Sequence, residues 1–433
     1  MVEVTPFKGI TYNKDKIDKL DDVMSPPYDI ISEEMQDTLY NKNPQNFVRL
    51  ILGKQNKDDT EYNNRYTRAK ESFESWLNKS ILIGSDKPAI FPYKIKYMVK
   101  NQTKTMNGFF ILLKLDSEYK LVKAHERTLS KPKADRLNLM SACHANLEPI
   151  QLLYIDDADK IRKKIDEALN DPIIDVIGYD GFNHKLWKLE EESIISMIQN
   201  ELQNKILFIA DGHHRYQTAI NYADEIKKKT GDTNEKASFN YRMVILANMF
   251  DEGLSILPTH RLIKKSDIDM ELLLKNLKEL FVVEKKTFDP PANIIDISKK
   301  IKYDLETKTE HKFVMYLKGK YFILTLKDES YMDEVAKDRS KTWRTLDVSI
   351  LHKIIFEQLM GINQDNLEDH VKYTRVDEEA IKFVEKGRFD LSFFMNATKI
   401  EELKAVADAG EHMPQKSTYF LPKMLSGLVI YKM

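Results

Sequence analysis

Two histidines and an arginine follow an Asp-Gly pair in Asp211-Gly212-His213-His214-Arg215. Each residue suits phosphate chemistry. Gly212 lets the backbone bend sharply and approach a ligand closely. Arg215 offers a planar fork that matches phosphate oxygens. His213 or His214 can donate a hydrogen bond or move a proton, which makes both catalytic candidates. Asp211 either caps a helix or holds a magnesium ion between protein and nucleotide. A shared metal on the two histidines is disfavoured, because adjacent helical residues point to different sides and a metal pair wants i,i+4 spacing. The plain alternative is a capping Asp211 followed by a solvated first turn.

The flanking elements decide where these residues lie. Residues 205–210 form an apolar run expected to be a core strand. The segment after residue 212 carries Tyr216, Ala219, Ile220, Ala223 and Ile226 at helical spacing, and Gly231 follows a lysine-rich end as a helix stop should. The pentapeptide therefore sits at a helix N-terminus, where backbone N–H groups and a partial positive charge favour anions.

Other residues add chemistry. Glu126 in His125-Glu126-Arg127-Thr128 follows an expected strand over 120–124 and can act as general base, with Arg127 on substrate. A surface ion-pair cluster is the competing account. Lys131, Lys133 and Arg136 follow closely. In Ser25-Pro26-Pro27-Tyr28-Asp29 the prolines impose an extended loop, with Tyr28 and Asp29 available to line a substrate pocket. Near the C-terminus Lys416, Ser417 and Thr418, with Lys423 beyond, suit an anionic substrate. His260-Arg261 is a further anion contact or a satisfied loop. Cys143-His144 is a poor thiol dyad, since neighbours in sequence rarely face each other usefully.

Strands are also expected at 91–97, 108–113 and 243–249, helices at 61–78, 159–169 and 267–280, and a hairpin over 313–326 turning at Lys318-Gly319-Lys320. The fold class is α/β, mixed α+β. Two domains are expected, 1–265 and 266–433, with the last strand packing back on the first. Lys+Arg 67 against Asp+Glu 68 argues against nucleic acid as partner, and one cysteine excludes an intramolecular disulfide. No apolar run reaches the ~18 residues of a membrane span. A cytoplasmic protein is expected, of open oligomeric state.

The strand, Asp-Gly-His-His-Arg, helix arrangement resembles the phosphate-binding motif of the ParB/sulfiredoxin superfamily, most of all that of free-serine kinases. Sulfiredoxins carry Gly-Gly-Cys-His-Arg there, so His213 takes the place of their reactive cysteine and sulfinic-acid reduction is not implied. Ser25 to Asp29, His125 to Thr128, Ala210 to Tyr216 and Met413 to Phe420 resemble signatures of the domain-of-unknown-function family 1015. The resemblance implies a ParB/sulfiredoxin-like core and a kinase of a small hydroxylated metabolite, free L-serine first. ATP or ADP would lie on residues 211–215 with Mg²⁺ on Asp211, and Glu126 would take the hydroxyl proton. The alternatives are a ParB-like regulator that binds nucleotide or DNA, and a metal-assisted phosphohydrolase using Asp211, His213 and His214.

Overall fold

A computed structural model describes residues 1–99, 102–125, 130–288, 293–306 and 309–433, the side chains of 130–132 excepted. The fold is mixed α/β. The chain forms two compact units: Met1–Ala124 with Thr128–Ser255 and Pro422–Met433, and His125–Arg127 with Ile256–Leu421.

The first unit is built on a nine-stranded sheet. Its strands are β1 (Val4–Thr5), β2 (Phe91–Val99), β3 (Gln102–Lys114), β4 (Val122–Lys123), β5 (Ile150–Tyr154), β6 (Ile174–Ile177), β7 (Asn183–Leu186), β8 (Leu207–Asp211) and β9 (Tyr241–Asn248). Their order is β4-β8-β5-β9-β3-β2-β7-β6, with β1 beside β3. The pairs β5/β9 and β4/β8 are parallel and the others antiparallel. Every residue of β5 and β9 is buried, as strands covered on both faces require.

Helices α1 (Glu33–Lys42), α2 (Arg65–Asn78), α3 (Ser130–Cys143), α4 (Lys160–Glu167), α5 (Glu192–Leu202) and α6 (His213–Thr230) belong to the same unit. Ile165 of α4, Ile198 of α5 and Ile220 of α6 enter one core with Leu152, Ile209 and Val244 of the strands. Each such side chain contributes about 1.5–3 kcal/mol when fully buried. On α6, Ala219, Tyr222 and Ala223 pack with Met140 of α3 in a second cluster. Helix α2 begins at Arg65 rather than 61. The reason is local: Asn64 accepts from Thr67 N, and Thr67 Oγ1 accepts from Asn64 N, a reciprocal cap that fixes the start.

The second unit holds a six-stranded antiparallel sheet of β10 (His260–Ile263), β11 (Phe281–Thr287), β12 (Lys312–Leu317), β13 (Lys320–Leu326), β14 (Val371–Thr374) and β15 (Leu391–Met395), in the order β11-β13-β12-β15-β10-β14. The expected hairpin is β12/β13, with Leu317 opposite Lys320 and Gly319 at φ +76° in its two-residue turn. Helix α7 (Met270–Leu280) starts after Asp269, whose carboxylate accepts from Glu271 N and Leu272 N. Helices α8 (Ile294–Leu305) and α9 (Asp377–Glu385) pack Ile301 and Ile381 onto Val314 and Phe394. No described helix is long and apolar enough to cross a membrane.

Candidate functional site

Strand β8 ends in an irregularity. Ile209 pairs with Leu152 but Asp211 with Gln151, so Ala210 is an extra residue that re-aims the strand end. Gly212 then adopts φ +95°, and α6 begins at His213 with no side chain capping it. Asp211 is therefore the last strand residue and not the cap. Its carboxylate instead bonds two cations: Oδ1 meets Lys423 Nζ, and Oδ2 meets Nη2 of Arg215 one helical turn on. Arg215 also donates through Nη1 to the carbonyl of Pro149. The glycine is required sterically as well, because a Cβ at 212 would lie 2.9 Å from Arg215 Nε.

Burial alone would raise the Asp211 pKa. The Lys423 and Arg215 charges beside it overcome that and hold the carboxyl well below the usual range. Since each oxygen already faces a cation, Asp211 in this arrangement does not fit a magnesium ion. No group of three or more His, Cys, Asp or Glu side chains able to hold a metal occurs among the described residues.

A second carboxylate, the buried Glu148, organises the neighbouring loops. Glu148 Oε1 accepts from Tyr28 N at 3.2 Å and Ser426 Oγ at 3.1 Å, while Oε2 meets Arg136 Nη1 at 3.3 Å. Arg136 comes from α3, donates to Asp135 through Nε at 2.8 Å, and lies 3.9 Å above the Tyr28 ring. Tyr28 and Asp29 stand in a 3₁₀ turn, Tyr28–Ile30, so the extended conformation ends at Pro27. Burial pushes the Tyr28 hydroxyl up to about 12. Asp29 is exposed, yet its charge, with those of Asp211 and Glu148, helps to raise the Arg215 pKa against desolvation. Arg242 of β9 donates from Nη2 to the Glu148 carbonyl at 2.8 Å.

The site in the first unit thus gathers Tyr28, Asp29, Arg136, Glu148, Asp211, Arg215, Arg242 and Lys423 around the N-terminus of α6, where His213 is buried and His214 half-buried. Sequence reasoning missed Glu148 and Arg242. Only Arg242 carried a signal, a charged residue at the start of an apolar strand run, costly unless it is paired or serves a ligand.

The chain matches, over residues 4–349, the family described as "Protein of unknown function (DUF1015)". The chain belongs to the DUF1015 family. No curated protein matches it. Among solved structures, a free serine kinase mutant in complex with ADP is similar at 14% identity and TM-score 0.35, covering 73% of this chain and 88% of that one. Free serine kinase in complex with AMP gives 15%, 0.33, 73% and 88%. A conserved hypothetical protein from Pyrococcus furiosus gives 16%, 0.33, 72% and 90%.

In this DUF1015 chain the remaining expected residues are not part of the cluster as described in the first unit. Glu126 and Arg127 are outside the described residues, as is the side chain of Lys131. Lys416, Ser417 and Thr418 belong to the second unit. There the Ser417 hydroxyl donates to Pro414 O at 2.5 Å, the Lys416 carbonyl accepts from Arg261 at 3.1 Å, and Thr418 Oγ1 is 2.9 Å from His125 Nε2. His260 pairs with Asp377 at 3.0 Å, so the His260-Arg261 pair is tied into its own unit. Cys143 is buried and its thiol is pushed up to about 12, which removes the nucleophilic thiolate at neutral pH.

Proposed function

We propose that this protein is a phosphotransferase that binds ATP or ADP through the first turn of α6 and passes a phosphoryl group to a small hydroxylated metabolite, free L-serine first. One observation carries the reading. Around that turn Arg136, Arg215, Arg242 and Lys423 are all buried, and the carboxylates bonded to their side chains are Asp135, Glu148 and Asp211. Of the four, Arg242 has no carboxylate bonded to its side chain among the described residues, which leaves its charge uncompensated in a low-dielectric place, where a phosphate is the natural complement.

Phosphoryl transfer asks little covalent chemistry of a protein; positioning and charge neutralisation supply most of the rate. Here the ion pairs of Asp211 fix Arg215 and the start of α6. His213 and His214 are proposed to donate to phosphoryl oxygens. Glu126 is assigned the substrate proton by the motif resemblance. Any magnesium would come with the nucleotide rather than on Asp211. A hydrolase built on Asp211, His213 and His214 has less support, since the carboxylate is already neutralised. DNA regulation has against it a net charge of -1.

The test is a thermal-shift titration with ATP, ADP, CTP and pyrophosphate, each with Mg²⁺, followed by serine-dependent turnover. A ligand bound only to the folded chain raises Tm with its concentration. Glu126→Gln should keep the shift and lose turnover, and Arg215→Ala, if folded, should lose the shift. No shift with any of the four ligands would sink the reading.

A further inference from the structure

Arg242 stands near the start of β9, a strand whose residues are all buried, and is itself 4% exposed. Its Nη2 is held by the Glu148 carbonyl at 2.8 Å. Nε and Nη1 are both buried and meet no acceptor among the described residues. A guanidinium carries five N–H donors, and three of them are on those two nitrogens. Burying a charge without partners is costly, and a guanidinium cannot escape by losing its proton near neutral pH.

The surroundings sharpen the imbalance. Arg242 shares a cleft of about 20 Å³ with Arg136, Arg215 and Glu148, lined otherwise by apolar side chains such as Leu139 and Leu147. Arg136 and Arg215 are committed to Asp135, Glu148 and Asp211. The one carboxylate in the cleft, Glu148, spends its side-chain oxygens on Tyr28 N, Ser426 and Arg136, and gives Arg242 only its backbone carbonyl. A volume of that size admits one group about the size of a water molecule. Neutral water would supply acceptors but leave the charge uncompensated.

We propose that Arg242 is an anion-binding residue, holding through Nε and Nη1 a single small anionic acceptor, either a terminal phosphoryl oxygen or a halide ion. With a phosphoryl oxygen the inference deepens the nucleotide reading and rests on it. With a halide it stands alone as a structural anion site.

The experiment compares melting of the full chain and of Arg242→Met in potassium gluconate, chloride, phosphate and pyrophosphate at equal ionic strength. Gluconate carries neither a halide nor a phosphoryl oxygen and sets the baseline. The wild type should melt higher in chloride or in the phosphates, and the anion that works names the source. Arg242→Met should lose that rise while melting in gluconate as high as the wild type or higher, because it removes an uncompensated buried charge. A purely structural arginine would do the reverse: the variant would melt lower in gluconate and keep the anion response. That result overturns the proposal, as does a wild type that melts identically in all four salts. Should Arg242→Met fail to fold, Arg242→Lys replaces it, keeping charge but losing the fork, and an undiminished response to anion overturns the idea equally. A nucleotide shift unchanged in the variant, with no salt effect in either protein, sinks this inference and leaves the phosphotransferase reading standing. An Arg242-dependent chloride response without any nucleotide shift does the opposite.

Discussion

Lys423 Nζ meets Asp211 Oδ1 across 212 residues of sequence, within one compact unit. The pair closes a buried arrangement in which one carboxylate is shared by an ammonium and a guanidinium. Replacing Lys423 with Met leaves Arg215 as the one cation hydrogen-bonded to the Asp211 carboxylate among the described residues. Breaking such a buried pair typically costs about 3–5 kcal/mol. Urea denaturation of Lys423→Met should read a loss of that order, and Lys423→Arg should recover most of it. A loss below 1 kcal/mol would mean that the pair is solvated in solution.

The same carboxylate sets a pH dependence. Its folded pKa lies well below the unfolded value of about 3.9. Its contribution is therefore fully present above the unfolded pKa and is lost as pH falls through the folded one. Wild-type stability should decline below about pH 4 more steeply than that of Asp211→Asn, which has no proton to take up there. Parallel acid limbs for the two proteins would show that the charge pairing is not formed.

Gly212 is held at φ +95°, with Arg215 Nε 2.9 Å from where a Cβ would stand. Gly212→Ala should cost on the order of 1–3 kcal/mol from backbone strain. It should also weaken phosphate-ligand binding, since the guanidinium must move. Ligand affinity equal to wild type in a folded Gly212→Ala would separate the glycine from the binding site.

Cys143 offers a chemical probe of folding. Its thiol is buried and raised to about 12. Ellman's reagent should react with the native chain far more slowly than with the urea-unfolded chain, at a rate that tracks opening. Immediate stoichiometric reaction in buffer would contradict that burial.

How much of this was legible depended on sequence range. The β8–α6 junction was readable because everything that makes it is local: a run of buried apolar residues, a glycine that must bend, a helical stripe and a Lys-Gly stop. The hairpin turn at Gly319 was readable for the same reason. The role of Asp211 was not. Whether it caps or pairs depends on Lys423, which no local pattern links to it. Lys423 itself looked like a ligand for substrate anion, and the structure spends it on an internal carboxylate. Glu148 was silent because its partners Tyr28, Arg136 and Ser426 come from three distant segments. Helix starts moved by a few residues wherever an Asn or Asp further along made the better cap, as at Asn64 and Asp269.

Nearly all of the second unit, Ile256–Leu421, is spliced into the first, between Ser255 and Pro422. On a ribosome this order has a temporal meaning. Asp211, Arg215 and Glu148 emerge early, while the ammonium that completes their pairing follows a further 212 residues behind. At about 5–20 residues per second that is a wait of roughly ten to forty seconds. During it the nascent first unit carries an acidic group with one of its two cations, and the intervening unit can finish its own sheet undisturbed. Completion of the ion pair thus acts as a clock: Asp211 gains its second cation only after the whole of residues 256–421 has been made.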